Sequence, residues 1–340
     1  MVGNSLNISH TKKYTFIAIA QIKRYICLPD CDVFSQSAVV GNAKEPIRRM
    51  NFEKNIKDEI FKITQHIGFK INRNQDLHKF LLNYLTVRKK LIEIENQKII
   101  INSELAKEIL FGDKRNEIKK IIEIARQKGN LNFFLSKRAL QSNFHDHLQN
   151  EWNIYHFHLS LEKDKKSNFV KQCNSLLFAY IDKNYIVFLG TETHKEGIFG
   201  DLKWVEILHE KFPFVIEEFK DSGGIIDVYP KLNSLERQTL WSKGISLGFY
   251  KIKDTIYHSP GIGRVTSGHS MDVSTTAMEI MRWLKMITEQ LVNMKKIFAE
   301  QLNINEDEID FQLEISNEIE IVEKKSNKVI INFPKIFVEK

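Results

Sequence analysis

The stretch LLFAYIDKNYIVFLGTETHKEGIF, Leu176–Phe199, decides how the rest of this chain is read. Ser175–Ile181 and Tyr185–Leu189 are short apolar and aromatic runs of the kind that fit a pleated, half-buried surface, and Asp182-Lys183-Asn184 between them has hairpin-turn chemistry. Gly190 and Thr191 close the second run, and a histidine, His194, precedes Phe199. Working outward, Trp152–Leu161 reads as another strand and carries HFHLS, His156–Ser160. Downstream, Asp201–Lys211 reads as a helix whose apolar face holds Leu202, Val205, Ile207 and Leu208, and Ile225–Tyr229 reads as a further strand. The middle of the chain is therefore expected to be a small antiparallel sheet with helices.

The flanks have a different texture. Ile56, Ile60, Ile63 and Ile67 recur at three and four residues, as do Leu77, Phe80, Leu81, Tyr84 and Leu85, so the N-terminal side is helical. Ser103 and Glu104 suit the start of a helix through Leu110, and another covers Glu117–Lys128, ended by Gly129. Tyr14–Ala20 could form a strand ahead of them. On the C-terminal side, Met278, Met281, Trp283, Leu284, Ile287, Leu291, Met294 and Phe298 stripe a long amphipathic helix over Ser274–Gln301. Phe311–Ile315, Ile319–Val322 and Val329–Phe333 then read as a terminal meander. The expectation is an α+β fold with a mostly helical domain over 1–149, a small α+β domain over 150–215, and a C-terminal α+β domain over 216–340 with the long helix and the meander.

A chain of 340 residues with 42% hydrophobic content can bury the cores of two or three domains. Its apolar runs, such as Phe16–Ala20, are far shorter than the roughly 20 residues a membrane helix needs, so no membrane partner is expected. Gln21, Lys23 and Arg24 stand where a signal peptidase would need small residues, and the three cysteines, Cys27, Cys31 and Cys173, make no disulfide framework. These point to a reduced, cytoplasmic location. The net charge is +7, and the last 40 residues hold nine acidic side chains against five basic, which leaves +11 on the preceding 300. Such a surplus attracts phosphates by counterion release, although a Lys-rich composition produces it equally well without any nucleic-acid partner.

Leu176, Leu177, Tyr180, Ile181, Asp182, Gly190, Thr191, His194 and Phe199, with the upstream His-Leu element at His158-Leu159, resemble the pattern of the RelE/YafQ-like family of RNA-cleaving toxins. The resemblance implies a RelE-like α+β domain that cleaves RNA, in particular messenger RNA on the ribosome, and an antitoxin protein as a partner. In that chemistry a 2′-hydroxyl attacks the neighbouring phosphate, which requires a base, an acid for the leaving 5′-oxygen and a cation for the crowded phosphate. By resemblance His194 matches the histidine that acts as the acid, His158 the upstream histidine, and Lys171 is the basic residue available for the central cation. Two departures stand out: Glu192 and Thr193 separate the Gly-Thr pair from His194, and family members are small single domains.

Lys163, Lys165 and Lys166 beside His158 read as a phosphate-facing rim, with Trp152 and Tyr155 available to stack on bases; a solvated lysine loop beside core aromatics accounts for them equally well. His156 and His158, two apart on a strand, share one face, and His145, His147 and His194 can gather nearby. Such a cluster could ligate zinc, but no HExxH helix or paired CxxC accompanies it, and neither metal nor cofactor is assigned. Pro260-Gly261-Ile262-Gly263 lacks phosphate-loop spacing and reads as a turn before the long helix. Two functions follow. The first is a toxin-type RNA endonuclease serving growth arrest or phage defence; the second is a non-catalytic nucleic-acid- or protein-binding module of a defence or regulatory system.

Overall fold

A computed structural model describes residues 51–333 apart from 262, 266 and 316–318; Tyr14–Ala20 lies outside the described residues. In chain order come helices α1 (Phe52–Ile67) and α2 (Leu77–Lys90), strand β1 (Lys98–Ile101), and helices α3 (Ser103–Phe111), α4 (Arg115–Arg126) and α5 (His147–Trp152). Strands β2 (Ile154–His158), β3 (Ser175–Ile181) and β4 (Tyr185–Thr193) follow, then helices α6 (Lys203–Lys211) and α7 (Ser234–Ser242) and the hairpin β5 (Phe249–Ile252) and β6 (Thr255–His258). Helices α8 (Met271–Asn293) and α9 (Lys295–Leu302) and strands β7 (Phe311–Ile315), β8 (Ile319–Glu323) and β9 (Lys328–Phe333) complete it. The protein is mixed α+β, and no helix among the described residues is long and apolar enough to cross a membrane.

The chain divides into two compact units, one from Met1–Tyr84 with Thr275–Lys340 and the other from Leu85–Ser274. In the first, Asn51 caps α1 by accepting from the Lys54 N–H, Gly68 ends it at φ 75°, and Ile56, Ile60 and Ile63 are buried. Strand β7 lies beside α1, with the Leu313 N–H donating to Asn55 Oδ1 at 3.3 Å, and β7-β8-β9 form an antiparallel sheet. The C-terminal meander expected from sequence is thus present.

The second unit is built on a four-stranded sheet of order β1-β4-β3-β2. The β3–β4 hairpin turns at Asp182, whose Oδ1 accepts from the Asn184 and Tyr185 N–H groups, and β2 pairs antiparallel with β3. Strand β1, which sequence reading did not identify, runs parallel to β4. Both faces are covered. Ile118, Ile121, Ile122 and Ala125 of α4 meet Phe157, Leu177, Ala179 and Phe188 on one face. Ile154, Leu176, Phe178 and Tyr180 meet Trp204, Val205 and Leu208 of α6, Trp241 of α7 and Tyr250 of β5 on the other.

Several expectations need correction. Trp152 is not in a strand: Asp146 caps α5 by accepting from the Gln149 N–H, and Asn153 at φ 55° ends that helix just beyond Trp152. Ile225–Tyr229 forms no strand, because the Asp221 carboxylate takes the Gly223 and Ile225 N–H groups and the Asp227 carboxylate takes that of Val228, leaving Ile226 94% exposed. The long helix begins at Met271 and breaks at Met294, between α8 and α9. Gly190 has a packing reason: a Cβ there would lie 3.0 Å from the Trp204 ring, which stacks on Phe178 at 4.4 Å and 20°. Phe178→Ala is therefore expected to cost about 3–5 kcal/mol through transfer and cavity terms, read as a shift in the urea midpoint; a loss below about 1 kcal/mol would show that this face is not tightly packed.

Candidate functional site

Strand alternation places the first two functional side chains. Tyr155 and Phe157 point into the α4 side of the sheet and Ile154 into the α6 side, so His156 and His158 share the α6 side with Ile154. Opposite them in register stand Phe178 and Leu176, which are paired in turn with Gly190 and Glu192. The pairing of β3 with β4 shifts at Phe178/Ala179, a bulge that re-aims the end of β4, and the His194 N–H donates to the Asn174 carbonyl at 2.7 Å just beyond it. His194 thereby comes to the same edge as the β2 histidines.

These three imidazoles line one cavity of about 550 Å³, together with His145, Asp146 and His147 from the chain entering α5, Arg138 and Phe144, Cys173 and Asn174, and Phe199 and Gln238. Phe199 packs against two of the rings, with centroids 4.8 Å from His156 and 5.2 Å from His194. The His156 and His158 rings lie 6.1 Å apart. Among the described residues, no three His, Cys, Asp or Glu side chains converge to hold a metal ion.

Each ring has its own anchor. His156 Nδ1 lies 3.0 Å from Asp146 Oδ2, within ion-pair range but off the line of a well-formed hydrogen bond. Asp146 serves two elements at once, since Oδ1 caps α5 while Oδ2 faces His156. Burial pushes the Asp146 carboxyl up, but His156, the Gln149 N–H and His147 together bring it below its ordinary value, so the carboxylate is ionised at neutral pH. His158 Nδ1 sits 2.9 Å from the Cys173 carbonyl and 3.2 Å from the Cys173 N–H. The shorter contact is satisfied by the tautomer with its proton on Nδ1, which leaves Nε2 as a bare acceptor. Arg264 donates to His147 Nδ1 at 3.0 Å, and His269, which meets His145 edge to face, contacts Thr86 Oγ1 at 2.8 Å.

The loop that presents His145, Asp146 and His147 is held from below by a buried ammonium. Lys90 donates to the carbonyls of Gln141 at 2.5 Å and Phe144 at 2.9 Å. Burial lowers its pKa to about 8, against the opposing pull of Asp146. A buried lysine in this place supplies hydrogen bonds that an irregular backbone facing it would otherwise lack.

The sequence-derived residues divide sharply. His194 and His158, assigned proton transfer, and His156, assigned to substrate, reach the same cavity. Lys171 does not line it: its ammonium pairs with Glu162 at 3.0 Å on an exposed loop that a Lys163–Val170 bridge closes. Lys163, Lys165 and Lys166 are likewise exposed on that loop and line no part of the cavity. Trp152 is 0% exposed, so it cannot stack on a base. Tyr155 faces the other side of the sheet, where its hydroxyl donates to the Lys89 carbonyl at 3.3 Å. Sequence reading gave no role to Asp146 or Arg138. Asp146 has a local signal, an Asx residue before a short helix and between two histidines; Arg138 has none, because only the tertiary fold brings Lys137–Leu140 to this edge.

His145, His147 and His158 are all depressed to a pKa of about 4, chiefly by burial, with Arg264 acting further on the first two and His156 and His194 on the third; the Cys173 backbone opposes the shift at His158. His194 is also lowered, by burial and by His156. An unfolded histidine titrates near 6.5, so between about 6.5 and 4 the unfolded chain binds more protons than the native one. Native stability is accordingly expected to be complete above pH 6.5 and to fall as pH drops toward 4, with Asp146 adding a further loss in still stronger acid. Thermal melts at pH 7 and pH 5 test this: His147→Gln and His158→Gln should each flatten the dependence, and a wild-type slope retained in both variants would contradict it.

With this geometry in hand, comparison with protein-family models, with curated proteins and with solved structures finds no match for the chain.

Proposed function

We propose that the protein is an endoribonuclease of the RelE-like toxin type, in which imidazoles carry the proton transfers. The observation that supports this most is the convergence of His156, His158 and His194 on one cavity, with an ionised Asp146 against His156. Cleaving RNA with its own 2′-hydroxyl needs no external nucleophile. The reaction requires removal of the O2′ proton as O2′ bonds to phosphorus, and delivery of a proton to O5′ as the P–O5′ bond breaks. The products are a 2′,3′-cyclic phosphate and a 5′-hydroxyl.

In this reading His158 takes the 2′-hydroxyl proton through Nε2, since Nδ1 is held by Cys173 and the ring is neutral at pH 7. His156 delivers the proton to O5′. Asp146 holds its Nδ1 edge, orienting the ring and leaving Nε2 for transfer, as a carboxylate does for an imidazole in hydrolytic triads. His194, which the resemblance would make the acid, is the exposed imidazole at the rim and contacts the phosphate. The RelE-like assignment, growth arrest or phage defence as its purpose, the ribosome and an antitoxin as partners, and a cytoplasmic site of action belong to the same proposal. They rest on the Leu176–Phe199 resemblance and the +7 charge.

Purified protein is expected to cleave RNA, with or without ribosomes and in the presence of a chelator. His158→Asn and His156→Asn should each lower kcat/KM by about 10²–10⁴-fold. The acidic limb of the wild-type profile should fall near pH 4, where His158 titrates, and should vanish in His158→Asn. Intact RNA under all these conditions, or RNA binding that survives both substitutions without any cleavage by the wild type, would leave only a binding module.

A further inference from the structure

A phosphodiester brings a negative charge into the cavity, and most of the cations around it are engaged elsewhere. Lys90 is buried and donates to two backbone carbonyls. Lys137 pairs with Asp164, Lys171 with Glu162, and both Lys195 and Lys203 with Glu192. Arg264 is directed at His147 Nδ1 and the Trp241 carbonyl. The carboxylate that lines the cavity, Asp146, faces His156. Among the described residues, Arg138 is the Lys or Arg that lines the cavity, and its guanidinium forms no ion pair with a carboxylate.

Its presentation is built locally. Ser136 caps the short 3₁₀ turn Lys137–Leu140 and accepts from the Arg138 N–H at 3.3 Å, while Lys137 is drawn away to Asp164. The guanidinium carbon lies 5.7 Å from the centroid of the Phe144 ring, in cation–π range. Phe144 belongs to the segment that Lys90 fixes, so the same device that places Asp146 also gives Arg138 its support. A planar guanidinium offers a phosphate two parallel N–H donors, which a lysine ammonium cannot reproduce.

We infer that Arg138 is the phosphate-binding cation of this cavity, the part that sequence reading gave to Lys171. The inference deepens the endonuclease reading and rests on it for the identity of the phosphate as a phosphodiester. It does not rest on the family resemblance, since Arg138 lies outside the stretch that carries it.

Two measurements on the full chain separate the inference from the reading beneath it. The first follows the histidine ring C–H resonances during titration with inorganic phosphate; the second follows RNA cleavage. Arg138→Gln should weaken phosphate binding at least tenfold and lower cleavage about 10²-fold, the scale for losing one donor at a developing charge. Arg138→Lys should recover part of each, and Lys171→Gln should leave both unchanged. Unaltered melting of Arg138→Gln, expected for an exposed side chain, excludes a folding defect. If the wild type fails to cleave RNA yet binds phosphate through Arg138, the endonuclease reading falls and the anion site stands. Arg138→Gln equal to wild type in phosphate binding, or loss of binding in Lys171→Gln instead, overturns the inference, as does a wild type that binds no phosphate.

Discussion

The antiparallel pairing of β2 with β3 is the constraint from which the site follows. With His156 opposite Phe178 and His158 opposite Leu176, a period of two puts both imidazoles on one face while Tyr155 and Phe157 complete the opposite core. A slip of one residue would exchange the two sets, burying two imidazoles among the isoleucines of α4 and exposing aromatic rings to the cavity. The cost of burying unpaired polar rings fixes the register as firmly as the apolar residues do. Each ring is correspondingly tied, His156 to Asp146 and His158 to the Cys173 backbone.

Electrostatics then differentiate histidines that sequence presents as equivalent. Burial keeps His145, His147 and His158 neutral at physiological pH, and Arg264 reinforces this for the first two. Asp146 supplies a lasting negative charge in direct contact with His156 and within reach of His147. The cavity therefore holds neutral imidazole acceptors and a fixed carboxylate side by side. Lys90 and Phe199 are the mechanical supports, one fixing the loop that carries Asp146 and the other packing against both His156 and His194.

Much of the architecture was legible in the chain. The β3–β4 hairpin is encoded by two apolar runs around an aspartate that binds the turn amides, and the C-terminal meander by plain alternation. Strand β1 was not, because KIII is too short to show a period and is strand-like only beside β4. Ile225–Tyr229 misled for the opposite reason: its residues favour strands, but Asp221 and Asp227 take the amides a ladder would use. For the site, the histidines were recoverable since their face follows from spacing, whereas the lysine rim was a reading of charge alone. Exposed lysines find carboxylates within their own loop, as Lys171 finds Glu162, and sequence proximity to a histidine does not bring an ammonium to it.

The sequence by itself determined the α+β character, the hairpin, and the shared face of His156 and His158, because these depend on periodicity and turn chemistry within a few residues. Only the tertiary structure decided which groups meet those histidines. Asp146 is ten positions from His156 along the chain, and Arg138 twenty from His158. Their arrival depends on a short helix ended by Asn153, a buried Lys90 and the packing of two cores against one sheet. Contacts of that kind are set by the three-dimensional path of the backbone, on which local pattern places no constraint.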